Sequence, residues 1–207
     1  MNHLNIDRLR QAELRTDPFE YTVVPGFLSA ESLERVIASY PDIFKGGSFP
    51  LETVEVSDDL QAVIDELNGP EFEQAIEQKF GVALAGRPKM YSLRGYCRAS
   101  DGKIHCDSKD KVITVLLYLN DKWSNAGGKL RMLRSATDLE DYTEEVAPDD
   151  GTLLVFRRSD TSFHGHGPFD GVRRSIQMNW MVSENKRAFH KIRHKISAGF
   201  KKLAAAE

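Results

Sequence analysis

Cysteine is scarce in this sequence, where Cys97 and Cys106 are the only two among 207 residues. Two cysteines do not make the disulfide framework that holds small secreted domains together, so we expect a reducing compartment, the cytoplasm. Long apolar runs are absent as well, and none approaches the roughly 20 residues that cross a bilayer. The charged N-terminus, MNHLNIDRLRQAELRTD, lacks the apolar centre of a secretory signal.

Neither sign of charge dominates. Lysine and arginine number 28 against 31 for aspartate and glutamate, and the formal net charge of -3 argues against a protein whose whole surface binds nucleic acid. Hydrophobic residues make up 41% of the chain, which is close to the globular average. A chain of this length buries a sizeable core, and we expect one domain over residues 1–207. The sequence leaves the oligomeric state open.

The first part of the chain has the apolar spacing of helices. Ser29 has the side chain of an N-cap, and apolar residues follow it at helical spacing through Tyr40. A second helix is expected at about 59–66. A third follows from Pro70 through Phe80, because proline suits a first helical turn.

Residues 88–183 change to short β-prone runs separated by glycine, aspartate, asparagine and proline. The runs are PKMYSLRGYC, KVITVLLYLN, GKLRML, GTLLVFRR and VRRSIQMNWMV. Several strands after an N-terminal helical block predict a mainly β fold with flanking helices, a sandwich or barrel whose helices pack on one sheet.

Two segments stand outside this pattern. Residues 135–150 are acidic and are expected to form a solvated loop rather than a strand, with a lid over a site as the alternative. Residues 184–204 are basic and have apolar residues at helical spacing. They predict an amphipathic helix that docks on its own domain, in preference to an anionic membrane or nucleic acid.

A group of metal-binding side chains brackets the β-prone region. His105 and Asp107 lie two positions apart before the run VITVLLYLN, so on an extended chain they face the same side. His164 follows the strand GTLLVF and supplies a third ligand. Two histidines and one carboxylate on one face of a metal suit non-haem Fe(II). His166 shares the parity of His164, so a zinc site with a His-x-His pair is the competing interpretation.

A polar strand face lies beyond these ligands. Alternation in VRRSIQMNW places Arg173, Ser175, Gln177 and Asn179 on one face and leaves Arg174 on the apolar one. A uniformly polar face is costly inside a protein unless it lines a wet or ligand-filled cavity. An arginine with a serine two positions on is suited to gripping a carboxylate. In the strand TVLLYLN, Thr114 and Tyr118 share a face, and Tyr118 has a phenol for the same carboxylate.

These motifs, in this order, resemble the Fe(II)/2-oxoglutarate-dependent dioxygenase superfamily in its prolyl-hydroxylase-like branch. The resemblance covers roughly Tyr91 to Val182 and includes LLYLNDKW and GGKLRML between the metal-binding residues. It implies a double-stranded β-helix, or jelly roll, at about 88–183. It also implies an enzyme that couples decarboxylation of 2-oxoglutarate to succinate with C–H oxidation by O2, most simply a hydroxylase, with ascorbate as a supporting reductant.

The resemblance further assigns roles to individual residues. It implies that His105, Asp107 and His164 bind Fe(II) and that Arg173 meets the distal carboxylate of 2-oxoglutarate. Helpers at that carboxylate and its cosubstrate pocket are Ser175, Tyr118, Thr114 and, from the segment before the metal motif, Tyr96. Some relatives place the basic anchor one residue later, at Arg174.

Two other classes of protein compete with this interpretation. One is a cupin-like or hydrolytic metalloprotein that uses His105, His164 and His166 with zinc or manganese. The other is a non-catalytic binding module that keeps the barrel without the reaction. The substrate is open among free amino acids, prolyl residues of proteins, small metabolites and sugar-linked compounds, since fold does not imply function.

Overall fold

The computed structural model describes residues 2–184. Its elements in chain order are α1 (Ile6–Gln11), β1 (Tyr21–Val24), α2 (Ala30–Ala38), β2 (Phe49–Pro50), a 3-10 turn (Leu51–Thr53), α3 (Asp58–Asn68), α4 (Pro70–Phe80), β3 (Lys89–Cys97), β4 (Lys111–Tyr118), β5 (Leu130–Leu133), β6 (Tyr142–Val146), β7 (Leu153–Arg157), β8 (His164–His166) and β9 (Gly171–Met181). The C-terminal helix predicted at 184–204 falls on residues outside the described range.

The three helices expected from the sequence are present, and two of them begin with a side-chain cap. The side chain of Ser29 accepts a hydrogen bond from the backbone N–H of Ser32 at the start of α2. Ser57 does the same for α3, and Pro70 occupies the first turn of α4. The short helix α1 was not predicted.

The strands form two antiparallel sheets. The larger has the order β1-β7-β4-β9-β3-β2, and the smaller has the order β6-β5-β8. Strands distant in sequence are therefore neighbours, as in the pairing of β3 with β9 and of β4 with β7. This mainly β architecture with flanking helices agrees with the predicted jelly roll.

Alternation along the strands divides the apolar residues between two layers. On β4, Val115 and Leu117 belong to a large core between the big sheet and the helices. On the same strand, Tyr118 belongs to a second cluster with Leu130 of β5 and Phe156 of β7. That second cluster fills the space between the sheets, so the inner face of the large sheet is the one that can line a cavity.

The acidic segment at 135–150 contains a strand, so the prediction of a loop there was wrong. β6 pairs with β5, and its acidic side chains are neutralised by partners from elsewhere. Glu145 forms ion pairs with Arg131 at 2.8 Å and Lys129 at 3.3 Å, and Glu144 pairs with Arg15. Acidic residues are tolerated in this edge strand because opposite charges face them.

Phe72 joins the helical layer to the large sheet and provides a test of the packing. Its ring is fully buried, stacks on Trp180 of β9 at 6.1 Å between centroids and lies 5.9 Å from Phe27. We expect Phe72→Ala to lower the free energy of unfolding by about 3–5 kcal/mol, the usual cost of such a cavity, measured by denaturant titration. The exposed neighbour Glu71 is the control, because Glu71→Ala should change stability by less than about 0.5 kcal/mol. Similar stabilities for the two variants would contradict this packing.

Within the described residues, no helix is long and apolar enough to cross a membrane.

Candidate metal and cosubstrate site

Three side chains converge where the two sheets meet. His105 and Asp107 lie in the connection between β3 and β4, and His164 is the first residue of β8. One ligand atom from each lies within 4.8 Å of the other two. Backbone hydrogen bonds of 3.0 Å in both directions join His105 to His164, and their rings are 4.4 Å apart. This cross-strand pair brings together residues 59 positions apart.

Hydrogen bonds to backbone carbonyls orient both imidazoles. Nδ1 of His105 lies 2.8 Å from the carbonyl oxygen of Lys103, and Nδ1 of His164 lies 3.0 Å from that of Ser162. A carbonyl only accepts, so each Nδ1 carries the proton and each Nε2 keeps a free lone pair. Burial lowers the pKa of His164 to about 4, which keeps this ring neutral near pH 7. Neutral imidazoles with a free Nε2 are the form that binds a metal.

Asp107 is held ionised by its neighbours. The ammonium of Lys111 lies 2.7 Å from one carboxylate oxygen, and the hydroxyl of Thr114 donates to the other at 2.5 Å. Thr114 in turn accepts from the amide of Asn179 at 2.8 Å. Burial by itself would raise the pKa of Asp107, but Lys111, His164 and Thr114 together hold it well below the usual range. Lys111 and Thr114 thus fix the side-chain orientation of Asp107, the charged member of the metal-binding group.

A cavity of about 430 Å³ opens beside the three ligands. Its polar wall includes Arg94, Lys111, Thr114, Arg173, Ser175 and Gln177, and its apolar wall includes Met90, Leu116, Leu130 and Phe156. A larger groove of about 1030 Å³ borders α1 and contains none of the three ligand residues. The smaller cavity is therefore the one associated with the metal-binding group.

Beyond the metal ligands, Arg173 and Ser175 line the cavity, and Tyr118 lies against Arg173 without being part of the wall. Arg173 is 7% exposed, donates from Nε to the carbonyl of Gly128 at 2.8 Å and lies with its guanidinium carbon 5.3 Å from the centre of the Tyr118 ring. The hydroxyls of Tyr118 and Ser175 are buried and form no hydrogen bond of normal geometry. Only one other side-chain atom among the described residues is in that condition, the hydroxyl of Tyr91. Buried unpaired hydroxyls are costly, so a pair of them beside an arginine indicates a ligand with acceptor oxygens.

Comparison with known proteins identifies this arrangement. Residues 92–182 match the family model described as the 2OG-Fe(II) oxygenase superfamily. Over these 91 of its 207 residues, the chain is similar to that superfamily. This segment contains all three metal-binding residues and Arg173, so Fe(II) and 2-oxoglutarate are the metal and cosubstrate that the family implies. The donor set and the unpaired hydroxyls fit both. No curated protein sequence matches the chain significantly.

Solved structures of prolyl hydroxylases share the fold of this chain. A Pseudomonas putida prolyl-4-hydroxylase aligns with a TM-score of 0.52 at 22% identity and covers 85% of this chain and 91% of its own. A Phytophthora capsici prolyl 4-hydroxylase gives 0.59 at 17%, with 87% and 66% covered. A Trichoplax adhaerens prolyl hydroxylase, solved with a peptide fragment of hypoxia inducible factor, gives 0.55 at 18%, with 89% and 91% covered. At these identities the likeness establishes the fold alone.

Most residues predicted for the site line one cavity, but Tyr96 and Tyr118 do not. Tyr118 is buried, and the guanidinium of Arg173 lies over its ring. Tyr96 lies elsewhere. Its hydroxyl donates to Asp170 instead. The register of β3 against β9 shifts between Arg94 and Tyr96, so the alternation that turns Arg94 inward is not continued to Tyr96. Thr114 lines the cavity, but its hydroxyl contacts the Asp107 carboxylate.

The fold also separates Arg174 and His166, the alternative anchor and the alternative metal ligand, from the proposed site residues. Arg174 does not line the cavity and lies over the ring of Tyr40 at 5.8 Å, on the opposite face of β9 from Arg173. His166 does line the cavity, but it is not in the group of converging ligand atoms. Its Nε2 lies 3.8 Å from the thiol of Cys97, and its Nδ1 is bonded to the carbonyl of Gly167.

Two cavity residues were not assigned from the sequence. Arg94 and Lys111 both line the cavity, although neither was expected there. The signal for Arg94 was its parity with Ser92 on β3, which places both on the face that meets Ser175 and Gln177 of β9. For Lys111, the signal was its position four residues after Asp107, which allows the two side chains to pair.

The hydroxyl of Thr114 provides a test of how Asp107 is held. We expect Thr114→Val to weaken Fe(II) affinity by about 10–100-fold, the usual cost of losing an outer-shell partner, in an anaerobic titration of the metal. Thr22→Val is the matched control, since that buried hydroxyl donates to the carbonyl of Glu13. The control should bind Fe(II) as the unmodified protein does, and equal affinities for all three proteins would show that Thr114 does not orient the ligand.

Proposed function

We propose that this oxygenase binds Fe(II) through His105, Asp107 and His164 and hydroxylates a substrate at a C–H bond. The observation that carries the proposal is the cavity itself. Three metal-binding atoms converge within 4.8 Å at one place on its wall, while Arg173 and Ser175 line another. The unpaired hydroxyl of Tyr118 belongs to the buried ring on which the Arg173 guanidinium lies. When bound, Fe(II) and 2-oxoglutarate supply the oxidative chemistry, in which O2-dependent decarboxylation to succinate accompanies C–H oxidation.

The residues of the chain bind and orient. The guanidinium of Arg173 provides the charge that the distal carboxylate of 2-oxoglutarate requires, and its position is fixed by the hydrogen bond to Gly128. Tyr118 and Ser175 donate their hydroxyl hydrogens to the same carboxylate, which removes the cost of leaving them unpaired. Holding the distal carboxylate in this way would orient the cosubstrate with its keto-acid end toward the metal-binding residues.

The apolar wall has a second role. Phe156 lies 4.8 Å from the ring of His164, and Leu116 and Leu130 line the same cavity. Apolar side chains around the ligands limit the access of water and strengthen the electrostatic contacts inside.

The competing functions have less support. A zinc site on His105, His164 and His166 needs the Nε2 of His166 at the metal, whereas that atom lies beside Cys97. A binding module without activity has no need of a complete ligand set and an unpaired acid-binding group. Halogenation is disfavoured because the carboxylate of Asp107 occupies the coordination position that a halide requires.

A prolyl residue is one candidate substrate, since the named structural neighbours are prolyl hydroxylases. The cytoplasm is the proposed compartment, supported by Cys97 and Cys106, which are both free thiols. Ascorbate as a supporting reductant stays a prediction.

Succinate formation tests the proposed reaction. We expect the protein incubated with Fe(II), 2-oxoglutarate and air to form succinate, at a rate that rises with the true substrate and falls to background in Asp107→Ala. Zinc in place of Fe(II) should give none. A protein that binds both Fe(II) and 2-oxoglutarate yet forms no succinate with any of the four substrate classes would favour the binding module.

A further inference from the structure

A second arginine points into the cavity, and the proposed function gives it no task. Arg94 of β3 pairs across the sheet with Ser175 of β9, which pairs on its other side with Tyr118 of β4. Its side chain lines the cavity together with that of Arg173. Burial lowers the pKa of Arg94, and the positive charge of Arg173 lowers it further. Arginine nevertheless remains protonated, so both side chains are cations.

Neither cation has a carboxylate counterion among residues 2–184. In the described part of the chain, no carboxylate lies within 4.0 Å of the guanidinium of Arg94 or Arg173. The basic residues just outside the cavity differ, because Arg98 pairs with Asp101 at 2.8 Å and Lys109 with Asp160 at 3.8 Å. The surface rim is therefore largely neutralised while the interior is not.

Formal charges show that 2-oxoglutarate does not balance this interior. Fe(II), Lys111, Lys103, Arg94 and Arg173 contribute positive charge, and Asp107, Asp101 and the dianion 2-oxoglutarate contribute negative charge. About two positive charges remain when these are combined. A loaded cavity with this excess favours an anionic second ligand.

We propose that Arg94 binds an acidic group of the substrate, a carboxylate or a phosphate, so that the substrate of this enzyme is an acid. The proposal rests on the function proposed above and adds the substrate class. Arg173, Tyr118 and Ser175 already supply donors for the distal carboxylate of 2-oxoglutarate, which leaves Arg94 for a second anion.

Neutral donors flank Arg94 on the cavity wall. Ser92 lies two residues earlier on β3 and pairs across the sheet with Gln177. The hydroxyl of Ser92 accepts a hydrogen bond from Ser48 at 2.8 Å, so its own hydrogen is free to be donated. Lys103 is exposed and also lines the cavity, which places a further cation on the route of an entering acid. A guanidinium with neutral donors beside it is suited to carboxylate or phosphate.

Inorganic phosphate is the probe for this site. It is titrated by calorimetry into the anaerobic Fe(II) protein saturated with 2-oxoglutarate, at constant ionic strength, while the visible band of the chelated keto-acid reports that the cosubstrate stays bound. We expect Arg94→Gln to weaken phosphate binding at least tenfold and to change 2-oxoglutarate affinity less than threefold. The matched control is Arg134→Gln, an exposed arginine paired with Asp17, which should bind phosphate as the unmodified protein does.

Each of the following results overturns the proposal. Phosphate that does not bind the unmodified complex, or that binds Arg94→Gln equally well as an adventitious ion only, shows that Arg94 holds no second anion. A loss of 2-oxoglutarate affinity in Arg94→Gln as large as in Arg173→Gln shows that Arg94 binds the cosubstrate rather than a second anion.

If Arg94→Gln fails to fold, Arg94→Lys replaces it. We expect severalfold weaker phosphate binding in Arg94→Lys, because lysine lacks the planar, bidentate donors of the guanidinium. Unchanged binding then contradicts the proposal. Absence of the keto-acid band in the unmodified protein is a separate failure, that of the proposed function.

Discussion

Replacing Arg173 with glutamine should weaken 2-oxoglutarate binding by about 100-fold and leave Fe(II) binding nearly unchanged. The guanidinium is 7% exposed and has no protein carboxylate as partner among residues 2–184, so the distal carboxylate of the cosubstrate is its natural counterion. Removing one partner of a buried charged pair costs roughly 2–5 kcal/mol, and about 2.8 kcal/mol corresponds to 100-fold. Calorimetric titration of 2-oxoglutarate into the anaerobic Fe(II) protein measures the loss.

The neighbouring arginine is the control for this substitution. Arg174 lies on the same strand with its side chain over Tyr40, outside the cavity. Arg174→Gln should therefore bind 2-oxoglutarate within about threefold of the unmodified protein. A larger loss in Arg174→Gln than in Arg173→Gln would mean that the anchor is one residue later, as in some relatives.

Replacing His164 with alanine should abolish succinate formation and weaken Fe(II) binding by more than about 100-fold. Loss of an outer-shell partner already costs 10–100-fold in metal affinity, and a direct ligand should cost more. His164 is 5% exposed and shares a backbone bridge with His105, so the strand pairing survives while the free Nε2 is lost. The iron retained after anaerobic gel filtration gives the affinity change.

His166 is the matched control for His164, because both are buried in β8 and both line the cavity. His166→Ala should keep Fe(II) affinity within about threefold, since its Nε2 is directed at Cys97. If iron is lost in His166→Ala and kept in His164→Ala, the competing zinc-type ligand set gains support and the Fe(II) assignment fails.

Much of the site was predictable because strand alternation has a fixed period. On β9 the alternation separated Arg173 and Ser175 from Arg174, and the structure places the first two at the cavity and the third outside it. The spacing of His105 and Asp107 likewise placed two donors on one side. Local periodicity suffices where a strand is regular and one face is buried.

The remaining features depend on contacts that a local pattern does not contain. Tyr96 was expected in the cosubstrate pocket, but a register shift interrupts the alternation ahead of it. The acidic composition of β6 predicted a loop. It is a strand because its glutamates are neutralised by Arg131 and by Arg15, which lies far away in sequence. The isolation of Arg94 from any described carboxylate is also a tertiary property. Each depends on which strands become neighbours, and spacing along one strand does not reveal that.

The most direct test is an anaerobic titration of the Fe(II)-loaded protein with 2-oxoglutarate, followed by the weak visible charge-transfer band of a chelated keto-acid. We expect the band to appear for the unmodified protein and to be missing for His164→Ala. Metal that binds without any band at saturating 2-oxoglutarate would contradict the assignment of this cavity as the Fe(II) and 2-oxoglutarate site.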